Sequence, residues 1–255
     1  MTTEQPSNLG NAIAQARPPE QRTAADLVNS MKGEFAKALP AHVTIDRFLR
    51  LALTELRMNS LLGNASAESL LGGLMTAARL GLDVGGPTGH FYLTPRRIKG
   101  DWSVVPIVGY RGLIELARRA GVGQVNAQLV RDGDHFAEGF DNERGFYAEW
   151  QPMTGGGNDR SVIGVLAAAR LENGDVQHRY LTIDEVMDRK ARGAAGDKGP
   201  WATDLDAMIR KTGIRALVPM LPQSTDLAYA AQVDETPQTW RPGDIAPTPA
   251  LETAD

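Results

Sequence analysis

The sequence contains no cysteine. A disulfide framework, thiolate zinc sites and a cysteine nucleophile are therefore excluded, and the chain suits a reducing cytosol. Long apolar runs are also missing, since no stretch approaches the ~20 apolar residues of a membrane-spanning helix. The N-terminal MTTEQPSNLGNAIAQARPPEQR lacks the apolar core of a signal peptide. We expect a cytoplasmic protein without a membrane anchor.

Nucleotide-binding and catalytic motifs are missing as well. A P-loop requires G-x-x-x-x-G-K-[ST], in which backbone amides hold the phosphates and the hydroxyl reaches Mg²⁺. The chain has no Gly-Lys-Ser/Thr, and Gly109-Tyr-Arg-Gly112 does not fit the dinucleotide pattern G-x-G-x-x-G. No serine lies in a G-x-S-x-G elbow. We therefore expect no ATP requirement, no cofactor and no catalytic residues.

The net charge of −4 conceals two segments of opposite charge. Between Arg79 and Arg131 the sequence has eight basic and three acidic residues, whereas between Thr225 and Asp255 it has one basic and six acidic residues. The central segment can therefore face an anion such as nucleic acid, and the C-terminal segment repels one.

The two ends of the chain differ from the middle in composition. Residues 1–24 are polar and contain three prolines, and the segment from about residue 233 contains four prolines and few apolar residues. Such compositions favour mobile chain over a packed core. We predict a flexible segment at 1–24, one folded domain at 25–224, and an acidic, proline-containing flexible tail at 225–255.

The hydrophobic periodicity predicts helices before and after a group of strands. The predicted helices lie between Thr44 and Gly63, between Ser66 and Gly81, over 109–120, from the Thr182-x-x-Glu capping box onward, and over 203–218. The predicted strands lie at 90–94, 102–108, 125–131, 146–151, 161–171 and 176–182, the last two joined by an Asn173-Gly174 hairpin turn. This order is typical of the α+β class, with a small antiparallel sheet packed with helices and a helical N-terminal part.

Two short motifs suggest alternative functions. Asp132, Asp134 and Asp141 lie close enough in sequence to hold a metal ion, as in a metal-dependent nuclease, although Arg-Asp-Gly-Asp is equally typical of a polar turn. Gly109-Tyr-Arg-Gly112 resembles the backbone-clamping G-x-x-G loop of KH domains, which bind RNA. The four histidines are scattered and lack the spacing of metal ligands. The residues alone leave both alternatives open.

The helix predicted over 109–120 carries positive charge on one face. On a helical wheel Arg111, Glu115 and Arg118 gather together, with Arg119 slightly offset, and the leucines and alanines gather opposite. A solvated face with i, i+4 ion pairs is the simpler interpretation. Tyr110 adds an aromatic ring at the helix entrance, however, and arginine with an aromatic ring is what a single-strand binder needs.

A second basic region surrounds the last predicted helix. Trp201 follows a basic, glycine-rich loop over 189–199 and suits either core packing or base stacking. The cations of this region are Arg189, Lys190, Arg192, Lys198, Arg210, Lys211 and Arg215.

Three blocks of the sequence resemble the signature blocks of the RecT family of phage single-strand annealing proteins. They are AARLGLDVGGPTGHFYLTP (77–95), VVPIVGYRGLIELARRAG (104–121) and GPWATDLDAMIRKTGIRALVPMLP (199–222). The resemblance extends from about Asp26 to Pro222 and keeps the family's order. It departs at Gly213-Ile-Arg215 and Val218-Pro219, where relatives are often more basic, so the last helix is expected to contribute less to DNA contact.

The resemblance implies a DNA-binding protein rather than an enzyme, with an α+β fold. Such a protein coats single-stranded DNA, anneals it to a complementary strand without ATP, and assembles into rings or filaments. It works in the bacterial host beside a phage exonuclease and the host single-stranded-DNA-binding protein. The candidate DNA-contacting residues are Arg96, Arg97, Lys99, Tyr110, Arg111, Arg118, Arg119, Lys190, Arg192, Lys198, Trp201, Arg210, Lys211 and Arg215.

Overall fold

The computed structural model describes residues 23–155, 159–192, 200–233 and 238–249. The helices in these ranges are α1 (Ala24–Ser30), α2 (Lys32–Ala38), α3 (Ile45–Met58), α4 (Ala67–Leu80), α5 (Tyr110–Arg119), α6 (Ile183–Arg192), α7 (Pro200–Thr203), α8 (Leu205–Leu217) and α9 (Thr225–Val233). Two short 3₁₀ helices span Ser60–Asn64 and Val218–Met220. No helix in these ranges is long and apolar enough to cross a lipid bilayer.

The strands form several small antiparallel sheets, which confirms the predicted α+β class. They are β1 (Phe91–Ile98), β2 (Asp101–Val108), β3 (Val122–Arg131), β4 (His135–Asp141), β5 (Gly145–Gln151), β6 (Val162–Leu171), β7 (Val176–Thr182), β8 (Gln238–Thr239) and β9 (Thr248–Pro249). In the described residues β3, β6 and β7 form a three-stranded sheet with β6 in the middle, and β1–β2, β4–β5 and β8–β9 are separate pairs.

The sequence signals at helix ends act as predicted in most places. Ser66 accepts a hydrogen bond from the backbone N–H of Ser69, and α4 ends at Gly81 with a left-handed φ of 60°. Thr182 and Glu185 form the predicted capping box at the start of α6. Thr44 precedes α3 but its side chain makes no capping hydrogen bond, and α3 ends at Met58 rather than Gly63.

The apolar side chains form two clusters. The larger one lies among α1 to α5 and the β1–β2 pair, and it also includes residues of β3, β6, α8 and α9 and Trp240. The smaller one joins the three-stranded sheet to α6 and α8 and consists of Leu129, Val165, Leu181, Val186 and Ile209. α8 lies directly on the sheet because Gly213 has no side chain: a Cβ there would lie 2.8 Å from Cγ2 of Val165.

The described part of the segment that was predicted as a flexible tail, from residue 225, packs against the core. Leu227, Ala230 and Val233 are buried on one side of α9, at helical spacing, and Trp240 is 2% exposed. The backbone N–H of Trp240 donates to the carbonyl oxygen of Glu68. Acidic residues and prolines dominate the segment's composition, and they concealed the few apolar residues that hold it to the core. Most of the predicted N-terminal flexible segment, residues 1–22, lies outside the described residues.

Candidate nucleic-acid interface

A groove of about 780 Å³ brings together three segments that are distant in sequence. Strand β1 supplies Tyr92 and Arg96, the first turn of α5 supplies Tyr110 and Arg111, and α8 supplies Lys211. Four of these five residues were predicted as DNA contacts from the sequence. The structure places them along one continuous surface, which neither the helical wheel nor the sequence blocks could show.

The alternation of β1 explains why Tyr92 faces the groove. Phe91 and Leu93 are buried in the core, whereas Tyr92 is 43% exposed. Tyr92 was not predicted from the sequence, although a tyrosine between two buried apolar residues of a strand signals an aromatic ring on the outer face.

The two glycines of Gly109-Tyr-Arg-Gly112 serve packing within the protein. A Cβ on Gly109 would overlap the carbonyl oxygen of Gly89, and a Cβ on Gly112 would overlap that of His90. The backbone N–H of Gly109 also donates to the carbonyl oxygen of His90 over 2.9 Å. The glycines therefore let α5 start directly against the chain before β1, and this placement presents Tyr110 and Arg111 to the groove.

Arg111 keeps its positive charge available in the groove. Its Nε donates to Oη of Tyr110 over 3.3 Å, and its Nη1 donates to the carbonyl oxygen of Pro87 over 3.3 Å. The hydrogen bond to Tyr110 raises the pKa of Arg111, so the guanidinium is protonated at any physiological pH. Both acceptors are uncharged, and within the described residues no carboxylate forms an ion pair with Arg111.

Arg119 has a structural position. Its Nε pairs with Glu115 over 3.1 Å, and its Nη1 and Nη2 donate to the carbonyl oxygens of Leu80 and Gly81. All three nitrogens of the guanidinium are thus engaged, Nη1 and Nη2 at the end of α4 and Nε within α5. Arg118 is exposed on α5, so Glu115 neutralises the charge of Arg119 and leaves that of Arg118.

The other candidates near β1 lie towards the tip of the β1–β2 pair. Arg97 lies over the ring of Trp102, with 5.3 Å from its Cζ to the ring centroid. Lys99 adopts a left-handed φ of 52° in the turn that it forms with Gly100. Neither Arg97 nor Lys99 lines the groove that holds Arg96.

The second basic region is divided by the structure. Helix α6 extends to Arg192, so the predicted loop begins as helix, and Lys198 lies outside the described residues. Trp201 packs against the smaller apolar cluster, and Nζ of Lys190 lies 5.8 Å from its ring centroid. Lys211 lines the groove, whereas Lys190, Arg192, Trp201, Arg210 and Arg215 do not.

Two carboxylates share the groove with the cations. Glu55 and Asp204 also line the groove. Their charge is opposite to that of Arg96, Arg111 and Lys211, which line it as well. Asp204 also accepts a hydrogen bond from the backbone N–H of Ala207 as the cap of α8. The groove therefore carries a small positive excess rather than a uniformly basic lining.

Comparison with known proteins identifies the family of this chain. The model of the RecT family matches residues 46–246. Protein RecT of Escherichia coli (strain K12) is 38% identical over 221 residues, which cover 84% of this chain and 81% of that protein. This chain belongs to the RecT family. It is therefore a phage-type recombination and annealing protein, and the resemblance in the sequence blocks is confirmed.

The RecT match contains every residue that lines the groove. It begins inside α3, ahead of Glu55, and ends beyond Trp240. The groove and the C-terminal segment that packs on α4 thus both lie within the part of the chain that the RecT family model matches.

Two of the three aspartates considered for a nuclease, Asp134 and Asp141, have structural positions in this RecT chain. The side chain of Asp134 is 2% exposed and accepts hydrogen bonds from the backbone N–H groups of Arg131 and Met153, the indole of Trp150 and the guanidinium of Arg160. Burial opposes ionisation, but these donors outweigh it and hold the pKa of Asp134 below its usual range.

Asp141 is the last residue of β4, whereas Asp134 comes directly before the other end of that strand, so the two carboxylates do not share a site. It accepts from the backbone N–H groups of Glu143 and Arg144 and pairs with the Arg144 guanidinium. In the described residues no group of three His, Asp or Glu side chains is arranged to hold a metal ion. The sequence spacing of the aspartates therefore reflects two turns rather than one ligand set.

Proposed function

We propose that this protein binds single-stranded DNA along the groove and anneals it to a complementary strand without ATP. The observation that carries the proposal is the convergence of Tyr92, Tyr110, Arg111 and Lys211 from three separate segments on one groove. The annealing step makes and breaks only base pairs and non-covalent contacts, so the protein needs no catalytic residue for it.

The cations and the aromatic rings would perform different tasks. Arg96, Arg111 and Lys211 are positioned to pair with backbone phosphates, which every sequence presents. Tyr92 and Tyr110 offer rings on which bases can stack, and such stacking contributes ~1–3 kcal/mol per base. Binding by these groups tolerates any sequence, as annealing of arbitrary strands requires.

Glu55 and Asp204 would keep the bound strand exchangeable. A carboxylate near a phosphate repels it, so these residues weaken the hold of the three cations on the strand. A strand that is held too tightly cannot adjust its register against a partner. We propose that this mixed lining favours repeated short pairing attempts over permanent capture.

The wider setting of the proposal comes from the family. We propose that copies of the chain assemble into a ring or filament, so that neighbouring grooves hold one long strand. We further propose that the protein acts in the bacterial cytoplasm with a phage exonuclease, which exposes single strands, and the host single-stranded-DNA-binding protein. The product of the reaction is the annealed duplex.

Strand binding by point variants tests the groove. Arg111→Ala and Lys211→Ala should each weaken binding of a labelled oligonucleotide roughly tenfold, because a charge-assisted contact contributes about 1.5–3 kcal/mol. The slope of log affinity against log salt should fall by about 0.7 for each phosphate that a variant no longer neutralises. Arg170→Ala is the matched control, because Arg170 is an exposed arginine on β6 that does not line the groove. Unchanged affinity and slope in both groove variants would refute the assignment.

A further inference from the structure

The β4–β5 pair carries two exposed phenylalanines near its tip. Phe140 is 61% exposed and Phe146 is 78% exposed, and their rings contact each other with centroids 5.0 Å apart. They are paired across the two strands, so both rings lie on the same face of the pair. Large exposed aromatic groups of this kind mark a surface that another molecule covers.

These rings border a second groove of about 620 Å³, separate from the DNA groove. One wall is the face of β4–β5, which is anchored by contact of Phe136 with Tyr180. The other side is formed by β7 and Met220. Val176 and Met220 are 47% and 48% exposed, so the apolar lining of this groove is accessible across both walls.

A projecting apolar group lies elsewhere on the same chain. Met58, the last residue of α3, is 82% exposed, and Leu61 in the following 3₁₀ helix is 42% exposed. Methionine is flexible and adapts to irregular apolar pockets. The chain thus presents an exposed group and an apolar groove on different surfaces.

The charges beside the two surfaces are complementary. Arg57, next to Met58, is exposed, and Glu138, which lines the second groove, is also exposed. Arg179 lines that groove as well, but it interacts with Glu185 at the start of α6. An acidic group at the groove and a basic group at the projection favour contact between them.

We propose that Met58 and Leu61 of one copy of this chain dock into the β4–β5 groove of the next copy, with Arg57 facing Glu138. Because the contact joins two different surfaces, it repeats from copy to copy and produces an open filament or a closed ring. Asn59, which directly follows Met58, lines the DNA groove of the same copy. The copy that receives Met58 and Leu61 therefore lies beside the DNA groove of its neighbour. The docking contact itself does not depend on the proposed function. Only the role of the assembly in holding a strand rests on it.

Mixing two variants tests this contact. Met58→Glu removes the projection and Phe146→Glu removes the groove, so each variant alone should sediment as a monomer of 27.5 kDa in analytical ultracentrifugation without DNA. An equimolar mixture keeps one intact contact and should form a species of about twice the monomer mass. Ile245→Glu is the matched control, because Ile245 is fully exposed and belongs to neither surface. It should assemble like the wild-type protein.

The outcomes separate this contact from the DNA groove. A wild-type protein that stays monomeric at every concentration, single variants that assemble like it, or a mixture that stays monomeric would each overturn the proposal. Circular dichroism confirms folding, and Leu61→Glu with Phe140→Glu repeats the test if a first variant unfolds. Phe146→Glu should bind a short oligonucleotide as the wild-type protein does. A variant that loses assembly but still binds the oligonucleotide therefore leaves the assignment of the DNA groove unaffected. A variant that assembles but no longer binds the oligonucleotide leaves the docking contact unaffected.

Discussion

Arg119 caps the C-terminal end of α4, where its Nη1 donates to the carbonyl oxygen of Leu80 over 2.8 Å. The last carbonyl groups of a helix have no partner within the helix, and a cationic donor there also interacts favourably with the helix dipole. Arg119 was predicted from sequence as a DNA contact beside Arg118, and the structure shows that its guanidinium is engaged within the protein.

Arg119→Ala is therefore expected to affect stability more than DNA binding. The free energy of unfolding, measured by urea denaturation, should fall by about 1–3 kcal/mol because the carbonyl groups lose charged donors. Arg119→Lys keeps the charge but not the three-nitrogen geometry, so it should restore little of the stability. A large loss of oligonucleotide affinity in Arg119→Ala that Arg119→Lys restores would instead show that the charge of Arg119 contacts DNA.

Gly112→Ala should disturb both stability and the groove. The new methyl group would overlap the carbonyl oxygen of His90, so α5 must shift and carry Tyr110 and Arg111 with it. Overpacking of this kind costs roughly 1–3 kcal/mol, which thermal denaturation can detect. Gly33→Ala is the control, because it lies in α2 with open space around it. That substitution should stabilise by about 1 kcal/mol, and a neutral Gly112→Ala would contradict the packing role.

Trp240→Ala tests whether the C-terminal segment is part of the fold. Removing this buried side chain should lower the free energy of unfolding by about 3–5 kcal/mol. Deletion of residues 233–255 should destabilise the protein for the same reason, whereas the loss of a flexible tail would leave its stability unchanged. Ile245→Ala serves as the exposed comparison and should change stability little. Equal stability of the wild-type protein and Trp240→Ala would show that the segment is not docked in solution.

Asp134 should give the protein a stability that depends on pH. Its pKa is lower in the folded protein than in the unfolded chain, where it is ~3.9, so its contribution is present above that pH and is lost as the pH falls below it. Asp134→Asn should therefore unfold at lower urea than the wild-type protein at pH 7, and the difference should shrink at acid pH. Asp132→Asn, at an exposed position, should show neither effect. A difference that stays constant with pH would exclude the carboxylate as its source.

The longer helices, α3, α4, α5, α6 and α8, and most strands could be predicted because their signals are local. The Thr182 capping box, the Gly81 stop and the Asn173-Gly174 turn each act within a few residues. Strand β4 was missed because none of its residues is buried and its half-buried and exposed residues do not alternate regularly, as it packs only partly against β7. Its partner β5 was predicted, and residues 142–144 join the two strands as a hairpin turn.

The site was predicted in part for the same reason. Arg111 and Tyr110 follow from one short block, and their proximity to Lys211 arises only when α8 packs beside α5. The sequence could not distinguish Arg118 from Arg119, since both are basic residues on one helix. Only the position of the end of α4 decides that Arg119 is a cap.

Annealing in the absence of ATP tests the central claim most directly. Two complementary oligonucleotides, one with a fluorophore and one with a quencher, are mixed with the protein in buffer without nucleotide, and the rate of quenching is compared with that of the oligonucleotides alone. The wild-type protein and Arg170→Ala should accelerate annealing strongly and equally, whereas the Arg111→Ala/Lys211→Ala double variant should remain folded and lose most of the acceleration. Acceleration by the double variant equal to that of the wild-type protein would contradict the groove as the strand-binding site.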